Sequence, residues 1–208
     1  AGACAVVIDK QPDDLGDQAA VLRVGDALQA LCDLGIAARA RTQARIIAVT
    51  GSVGKTGSKE ALNFVLSRQA QTSANLGSLN NHWGLPLSLA RMPEQATFGI
   101  FEMGMNHPGE ITPLSKMARP HVALVTNVEA VHSEFFENVE SIADAKAEIF
   151  AGVEAGGMAV LNRDNDHFHR LAEVARSYGV DRVIGFGVSA CLMAAFKAFV
   201  LWFPKQQL

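Results

Sequence analysis

The sequence has few cysteines and no excess of positive charge. Its 208 residues include three cysteines, Cys4, Cys32 and Cys191, which lie too far apart to form a Cys-x-x-Cys pair. An odd number of dispersed thiols argues against a disulfide framework or a zinc site, and predicts reduced thiols in a cytoplasm. The formal net charge is −3, so we expect no basic surface for nucleic acid and no polybasic run for a membrane.

The chain also lacks a leader and a long apolar run. No charged segment followed by an apolar core opens the sequence, so no signal peptide is expected. The first residue is Ala1 and not Met, which predicts that the chain begins within a longer protein. Residues 190–203 are almost wholly apolar, but about 14 residues are too few for a membrane span of roughly 20. We interpret residues 188–208 as the product of a frameshift or a fusion, with a packed helix as the alternative.

What the sequence does have is a regular alternation of apolar and helical segments from residue 45 onward. The apolar runs predict strands over 45–50, 97–102, 121–126, 157–161 and 182–186. The helical patterns between them cover 56–69, 109–117, 139–151 and 165–178. Strands that are apolar throughout and alternate with helices are typical of a parallel sheet with both faces covered. We therefore predict an α/β fold with a mostly parallel sheet and helices on both faces.

The first 43 residues show a weaker pattern. Short strands are predicted over 5–9 and 21–24, followed by a helix that Asp26 caps and Gly35 ends. Two short strands and a helix make a poor core, so residues 1–43 are expected to be the remnant of an N-terminal domain. Residues 44–187 are expected to form the central domain of the chain.

The strongest motif follows the first strand of this alternation. It is a glycine-bearing turn with the sequence Thr50-Gly51-Ser52-Val53-Gly54-Lys55-Thr56. Backbone N–H groups in such a turn, together with the helix N-terminus behind it, bind phosphate. We predict that Lys55 neutralises the terminal phosphates of a nucleoside triphosphate and that the Thr56 hydroxyl reaches Mg²⁺. The alternative is an ordinary loop, but a strand and a helix flank the motif as a phosphate loop requires.

Polar residues also follow the other predicted strands, at the edge where parallel sheets bind ligands. Glu102 ends a strand beside the phosphate loop, which predicts a magnesium ligand; a charge facing solvent is the alternative. Taken alone, His132 is typical of a surface loop, and Lys146 of a side chain whose charged end reaches water. The Asn80-Asn81 pair is compatible with simple turn chemistry.

Together these motifs resemble the Mur ligase family, the ATP-dependent amide ligases of bacterial peptidoglycan synthesis. The residues that carry the resemblance are 50–56, 80–86, 102–111, 126–127 with His132, and 146–150. The Asn-Asn turn and the run over 102–111 favour the branch that adds D-alanyl-D-alanine to UDP-N-acetylmuramoyl-tripeptide. The similarity covers about residues 44–187, which correspond to the middle one of three domains in the family.

The resemblance implies a role for each site residue. Lys55 and Thr56 would hold the ATP phosphates and a first Mg²⁺. Glu102 and His132 would bind a second Mg²⁺ between ATP and the substrate carboxylate. Lys146 would be carbamylated and would complete that metal site. Lys55, His132 and Lys146 are therefore the expected catalytic residues.

The resemblance also implies substrates and a reaction. Asn80 and Asn81 would lie by the UDP-linked substrate, and the reaction would form an amide through an acyl phosphate. We expect the chain to be a monomer. Two alternatives stay open: a related ligase such as folylpolyglutamate synthetase (FPGS), which shares the phosphate loop, and a nucleotide-binding fragment without activity.

Overall fold

The computed structural model describes residues 5–10, 20–130 and 135–188. In chain order the elements are β1 (Val6–Ile8), β2 (Val21–Arg23), α1 (Ala27–Arg41), β3 (Arg45–Thr50), α2 (Lys55–Leu66), β4 (Thr72–Ala74), α3 (Gly84–Ala90), β5 (Phe98–Glu102), α4 (Ile111–Ala118), β6 (Val122–Val125), α5 (Val139–Ala147), a 3₁₀ helix (Glu148–Gly152), β7 (Met158–Asn162), α6 (Phe168–Ser177) and β8 (Arg182–Phe186). His132 and all but the first residue of the predicted tail at 188–208 lie outside the described residues.

Six of the strands form one parallel sheet, which includes the five strands that the sequence predicts from residue 45 onward. Their order is β4-β5-β3-β6-β7-β8, and β1 and β2 form a separate parallel pair. After β3 the chain forms β4, the outermost strand on one side, and then β5, which lies between β4 and β3. It then crosses to β6 on the other side of β3. Loops that leave neighbouring strands in opposite directions open a crevice at the carboxyl ends of those strands. The phosphate loop follows β3 and therefore lies at this crevice.

Helices cover both faces of the sheet, which confirms the predicted fold class. On one face α2 packs against alternate apolar residues of the central strands, namely Ile47, Val49, Phe98 and Ile100. The opposite residues of those strands pack under α3, α4, α5 and α6, and α1 lies outside α3 and α4. Burial of each such apolar side chain contributes about 1.5–3 kcal/mol. Among the described residues, no helix is long and apolar enough to cross a membrane.

Two elements, β4 and α3, are absent from the sequence prediction. β4 has three residues without a long apolar side chain, so it gives no strand pattern. α3 begins at Gly84 and carries Pro86 in its first turn. Glycine and proline there resemble a turn, but proline is tolerated in the first turn because an N–H at that position has no partner within the helix.

The predicted end of α1 at Gly35 is wrong. Asp26 caps the helix as expected, and its carboxylate accepts from the Gln29 N–H at 2.7 Å, but the helix continues to Arg41. Gly35 lies against α3 instead, where an added Cβ atom would be 3.0 Å from the Pro86 Cα. The glycine therefore allows two helices to approach closely and does not end the first one.

Candidate nucleotide and metal site

Two glycines shape the phosphate loop between β3 and α2. Gly51 has φ +150°, and a Cβ atom there would lie 1.9 Å from the Thr126 hydroxyl oxygen. Gly54 has φ +83° and precedes the first residue of α2. The Thr126 hydroxyl, just after β6, donates to the Val53 carbonyl at 2.6 Å. The end of β6 thus holds the loop at the N-terminus of α2, where helix N–H groups and the helix dipole attract anions.

Lys55 lies within this loop and contacts the loop's own backbone. Its ammonium donates to the carbonyls of Gly51 at 2.7 Å and Ser52 at 3.3 Å. Burial lowers the pKa of Lys55, and the charge of Glu102 opposes that shift. Phosphate oxygens are stronger acceptors than peptide carbonyls because they carry charge. A bound phosphate can therefore replace the loop carbonyls as the acceptor for this ammonium.

The predicted metal ligands Thr56 and Glu102 meet directly. Glu102 is 1% exposed at the end of β5, and one of its carboxylate oxygens accepts from the Thr56 hydroxyl at 2.8 Å. The other oxygen accepts from the Asn80 side-chain amide at 2.8 Å. The alternative that Glu102 is a charge facing solvent is therefore wrong.

The donor set at this position suits Mg²⁺. A hydroxyl and a carboxylate are hard oxygen ligands, and Mg²⁺ binds few protein groups because it keeps waters and substrate phosphates. Among the described residues, no group of three or more His, Cys, Asp or Glu could hold a metal ion. The predicted further ligand, His132, lies outside the described residues.

Lys146 on α5 is buried and close enough to Lys55 for their charges to interact. It is 2% exposed, so the alternative of a side chain that extends into water is wrong. Burial, and secondarily the charge of Lys55, lowers the pKa of Lys146 to about 8. A substantial fraction of this amine is therefore neutral near physiological pH, and the neutral amine is the nucleophilic form.

The two asparagines before α3 face different partners. Asn80 contacts the Glu102 carboxylate and so lies at the candidate metal site. The Asn81 side-chain oxygen accepts from the N–H groups of Trp83 at 3.1 Å and Gly84 at 2.9 Å. Asn81 therefore caps the start of α3, and its predicted contact with the UDP-linked substrate stays a prediction.

A polar cavity of about 580 Å³ adjoins the phosphate loop at the ends of β6 and β7. Asn127 connects the two, because its carbonyl accepts from the Ser52 N–H at 2.9 Å and its side-chain oxygen accepts from the Asn165 amide at 2.6 Å. Residues 127–130, Asn162 and residues 164–167 supply most of the cavity wall. The described polar residues that follow these two strands therefore lie together at the carboxyl ends of the strands, where parallel sheets bind ligands.

Glu148 makes polar contacts that the sequence analysis did not predict. Its carboxylate accepts from the N–H groups of Ile111 and Thr112, each at 3.0 Å, and so caps α4 from another element. Glu110, the residue directly before α4, accepts from the Asn106 N–H at 2.7 Å. No local pattern identifies Glu148 as the cap, because it lies 37 residues from the N–H of Ile111.

Comparison with known proteins agrees with this geometry. The model of the Mur ligase middle domain matches residues 49–200. Because that range is more than half of the sequence, the chain belongs to the Mur ligase family. The matched range runs past residue 187, where the predicted central domain ends, and the predicted boundaries stay predictions.

Several relatives carry the same protein name. The UDP-N-acetylmuramoyl-tripeptide–D-alanyl-D-alanine ligase of Rickettsia prowazekii is 35% identical over 189 residues, which cover 91% of this chain and 42% of that protein. The ligase of the same name from Escherichia coli is 38% identical over 161 residues, which cover 36% of that protein. The chain therefore spans about two fifths of the length of the curated relatives it matches.

Solved structures give the same family. MurF from Acinetobacter baumannii superimposes with a TM-score of 0.81 at 34% identity, over 91% of this chain and 40% of that one. MurF ligase from Thermotoga maritima in complex with ADP gives a TM-score of 0.76 at 29% identity, over 91% of this chain and 42% of that one. FPGS from L. casei is 16% identical with a TM-score of 0.62, which is a likeness of fold alone.

Proposed function

We propose that this chain is the nucleotide-binding part of an ATP-dependent ligase that joins D-alanyl-D-alanine to UDP-N-acetylmuramoyl-tripeptide in peptidoglycan synthesis. The observation that carries the proposal is the pair of Thr56 and Glu102 at the mouth of a phosphate loop. The names of the Rickettsia and Escherichia relatives support the choice of substrates. The ADP complex of the Thermotoga relative supports an adenine nucleotide.

In this proposal the chain's residues bind and orient charge. Lys55 leaves the loop carbonyls and binds the terminal phosphates of ATP, while Thr56 and Glu102 hold Mg²⁺ against them. Bound Mg²⁺ neutralises phosphate charge and fixes the geometry of the transfer. The tripeptide carboxylate attacks the γ-phosphorus and ADP leaves, which gives an acyl phosphate. The amine of D-alanyl-D-alanine then attacks the acyl carbon, phosphate leaves, and the amine loses a proton.

The polar cavity beside the loop is the place for the nucleoside of ATP. When the loop holds the phosphates, the nucleoside of the same ATP can lie only a short distance from the loop. The cavity begins at Asn127, which contacts the loop. Side-chain amides such as that of Asn165 offer donors and acceptors to a base edge. Because the reaction uses ATP and a UDP-linked substrate, we place it in the cytoplasm. The monomeric state stays a prediction.

Lys146 completes the proposal as the carbamylated residue. A neutral lysine amine can add CO₂, which replaces a cation with a pair of oxygen ligands for a hard metal. The lowered pKa of Lys146, about 8, supports this role because it supplies neutral amine. Carbon-13 spectra of the chain in ¹³C-bicarbonate are expected to show a carbamate signal that Lys146→Met abolishes. Persistence of the signal in that variant would exclude Lys146 as its source.

The experiment that tests the function is ATP binding by calorimetry with Mg²⁺, followed by phosphate release with both substrates. Mg²⁺-dependent binding that Lys55→Met weakens supports the nucleotide site, and release that needs both substrates supports the ligase reaction. Binding without release favours a nucleotide-binding fragment that needs further domains for chemistry. Release with folate and glutamate in place of the two substrates would favour an FPGS-type ligase. Absence of ATP binding would contradict the proposal.

A further inference from the structure

A lysine that the proposed chemistry does not use is fully buried beside the site. Lys59 lies on α2 one turn after Thr56, and its side chain is 0% exposed. Burial of an ammonium is costly unless acceptors surround it. This ammonium donates to the carbonyls of Asn75 at 2.8 Å and Gly77 at 3.1 Å, and pairs with the Glu60 carboxylate at 2.9 Å. Two of its three acceptors therefore belong to one short segment, residues 75–80.

The segment 75–80 surrounds the backbone and the carboxylate of Glu102. At its start, the Asn75 side-chain oxygen accepts from the Glu102 N–H at 2.9 Å, and its amide donates to the Glu102 carbonyl at 3.2 Å. At its end, the Asn80 amide donates to the Glu102 carboxylate at 2.8 Å. The Asn80 carbonyl also accepts from the Gly104 N–H at 2.9 Å. The segment 75–80 thus holds both the backbone and the carboxylate of Glu102.

We propose that Lys59 and Asn75 are positioning residues for the metal site. Lys59 fixes the segment 75–80 to α2, which carries Thr56, and Asn75 fixes the same segment to the end of β5, which carries Glu102. The two candidate metal ligands come from different elements, so their separation depends on this connection. The inference deepens the function proposed above and rests on it, because it concerns the magnesium site of that ligase.

The connection matters most when the metal is bound. Thr56 donates directly to Glu102, and that hydrogen bond keeps the two side chains together. Thr56 and Glu102 would each give an oxygen lone pair to bound Mg²⁺, and their direct contact would then be lost. The outer contacts must then hold Glu102 in place, and loss of such contacts typically lowers metal affinity about 10- to 100-fold.

The test measures the Mg²⁺ gain, defined as the ratio of the ATP dissociation constants in EDTA and in Mg²⁺, by calorimetry. Lys59→Met keeps the apolar stem and removes the ammonium, and Asn75→Ala removes both contacts with Glu102. We expect each variant to lower the Mg²⁺ gain about 10- to 100-fold. ATP affinity in EDTA is expected to stay close to that of the unaltered chain, because the phosphate loop is unchanged.

Arg39→Met is the matched control. Arg39 is also a buried cation that donates to two backbone carbonyls, those of Ala118 and Arg119, but at the other end of the sheet. Its loss is expected to lower stability without changing the Mg²⁺ gain. Amide exchange in the metal-free chain gives a second readout, since the Glu102 N–H is expected to exchange faster in Asn75→Ala than in Arg39→Met.

The possible results separate the two proposals. An unchanged Mg²⁺ gain in Asn75→Ala, or a gain lowered equally by Arg39→Met, would overturn the positioning role while the nucleotide site stands. If Lys59→Met does not fold, Asn75→Ala decides the question. If the unaltered chain binds ATP equally well with and without Mg²⁺, the metal site is refuted and this inference with it. If it binds no ATP, the proposed function itself is refuted.

Discussion

The amino ends and the carboxyl ends of the parallel strands lie on opposite sides of the sheet, which we call the amino edge and the carboxyl edge. Both contain buried charge, but the contacts of that charge differ. At the amino edge, Arg39 donates to the carbonyls at the end of α4, and the His121 ring accepts from the Ile46 N–H at 3.0 Å. At the carboxyl edge, Thr56 donates to Glu102 and Lys55 contacts its own loop. The contacts of Arg39 and His121 join side chains to the backbone of other elements. The contacts of Lys55 and Thr56 lie at the mouth of a loop, where one side chain meets the loop's own carbonyls and the other meets a carboxylate.

The difference shows that a buried charge is not by itself a sign of function. The contacts of Arg39 cannot be released without loosening the packing of α1 on α4. The contacts of Lys55 and Thr56 can be exchanged for those of a ligand, because phosphate and Mg²⁺ offer equivalent or stronger partners. Lys59 lies between these cases. Like Arg39 it donates to backbone carbonyls, but one of these carbonyls belongs to Asn75, whose side chain accepts from the Glu102 N–H.

The largest expected effect is the loss of ATP binding on Gly51→Ala. The new Cβ would overlap the Thr126 hydroxyl at 1.9 Å, and φ +150° strains any residue with a side chain. Calorimetry with Mg²⁺ and ATP measures the loss. The control is Gly156→Ala at the amino edge, where φ is +76° but nothing lies within 4 Å of the added atom. Normal ATP binding by Gly51→Ala would refute the loop geometry.

The next effect is a drop of about 100-fold in ATP affinity on Lys55→Met, in line with roughly 1.5–3 kcal/mol for a hydrogen bond to a charged group. Lys55 is the cation inside the phosphate loop, and methionine keeps its apolar stem. The same calorimetric titration measures the change. Arg39→Met is expected to leave ATP affinity unchanged. Equal losses in both variants would remove the functional distinction between the two edges.

The third prediction concerns stability at alkaline pH in EDTA. Lys146 has a pKa of about 8 in the folded chain against an ordinary 10.5, so the unfolded chain binds an extra proton between these values. The free energy of unfolding should therefore rise by about 2–3 kcal/mol from pH 8 to pH 10.5 through this residue. Urea titrations measure the rise, and Lys146→Met should flatten it. An equal slope in the variant would contradict the buried, cationic environment.

The smallest effect is expected at acid pH from the amino edge. Burial, followed by the charges of Arg39, Arg45 and Arg119, lowers the pKa of His121 to about 4. In the unfolded chain His121 takes up a proton near pH 6.5, but in the folded chain it does so only near pH 4. The free energy of unfolding therefore falls as the pH drops from 6.5 to 4. After allowance for solvent screening we expect about 1–2 kcal/mol.

The variant that isolates this effect is His121→Asn. Its side-chain oxygen can accept from the Ile46 N–H in place of the imidazole nitrogen, but it does not titrate. Urea titrations at pH 6.5 and pH 4 should therefore show a smaller difference in the variant than in the unaltered chain. A difference that is as large in His121→Asn would assign the acid sensitivity to other groups.

The sequence predicted the sheet well because its strands carry their own signal. A parallel strand with both faces buried is apolar over most of its length, and β3 and β5 show this without reference to the rest of the chain. The phosphate loop is equally local, since seven consecutive residues contain it. The fold class and the position of the glycine-bearing loop were therefore accessible from the sequence.

The missed features depend on residues far apart in the chain. Glu148 caps a helix that begins 37 residues earlier, and Lys59 contacts carbonyls 16 and 18 residues away. On an amphipathic helix a lysine is usually exposed, so nothing local marks Lys59 as fully buried. Asn75 gave no signal because its role is defined by Glu102, on another strand.

The sequence by itself determined which apolar segments form strands, which glycine-bearing loop follows the first of them and which carboxylate ends a strand beside it. Those properties follow from local periodicity and from the backbone conformations that glycine permits. Only the tertiary structure decided that Thr56, Asn80 and Glu102 meet, that Lys146 is buried near Lys55, and that Lys59 is buried against the segment 75–80. These contacts join residues that the chain separates, so they exist only once the sheet and its helices have packed.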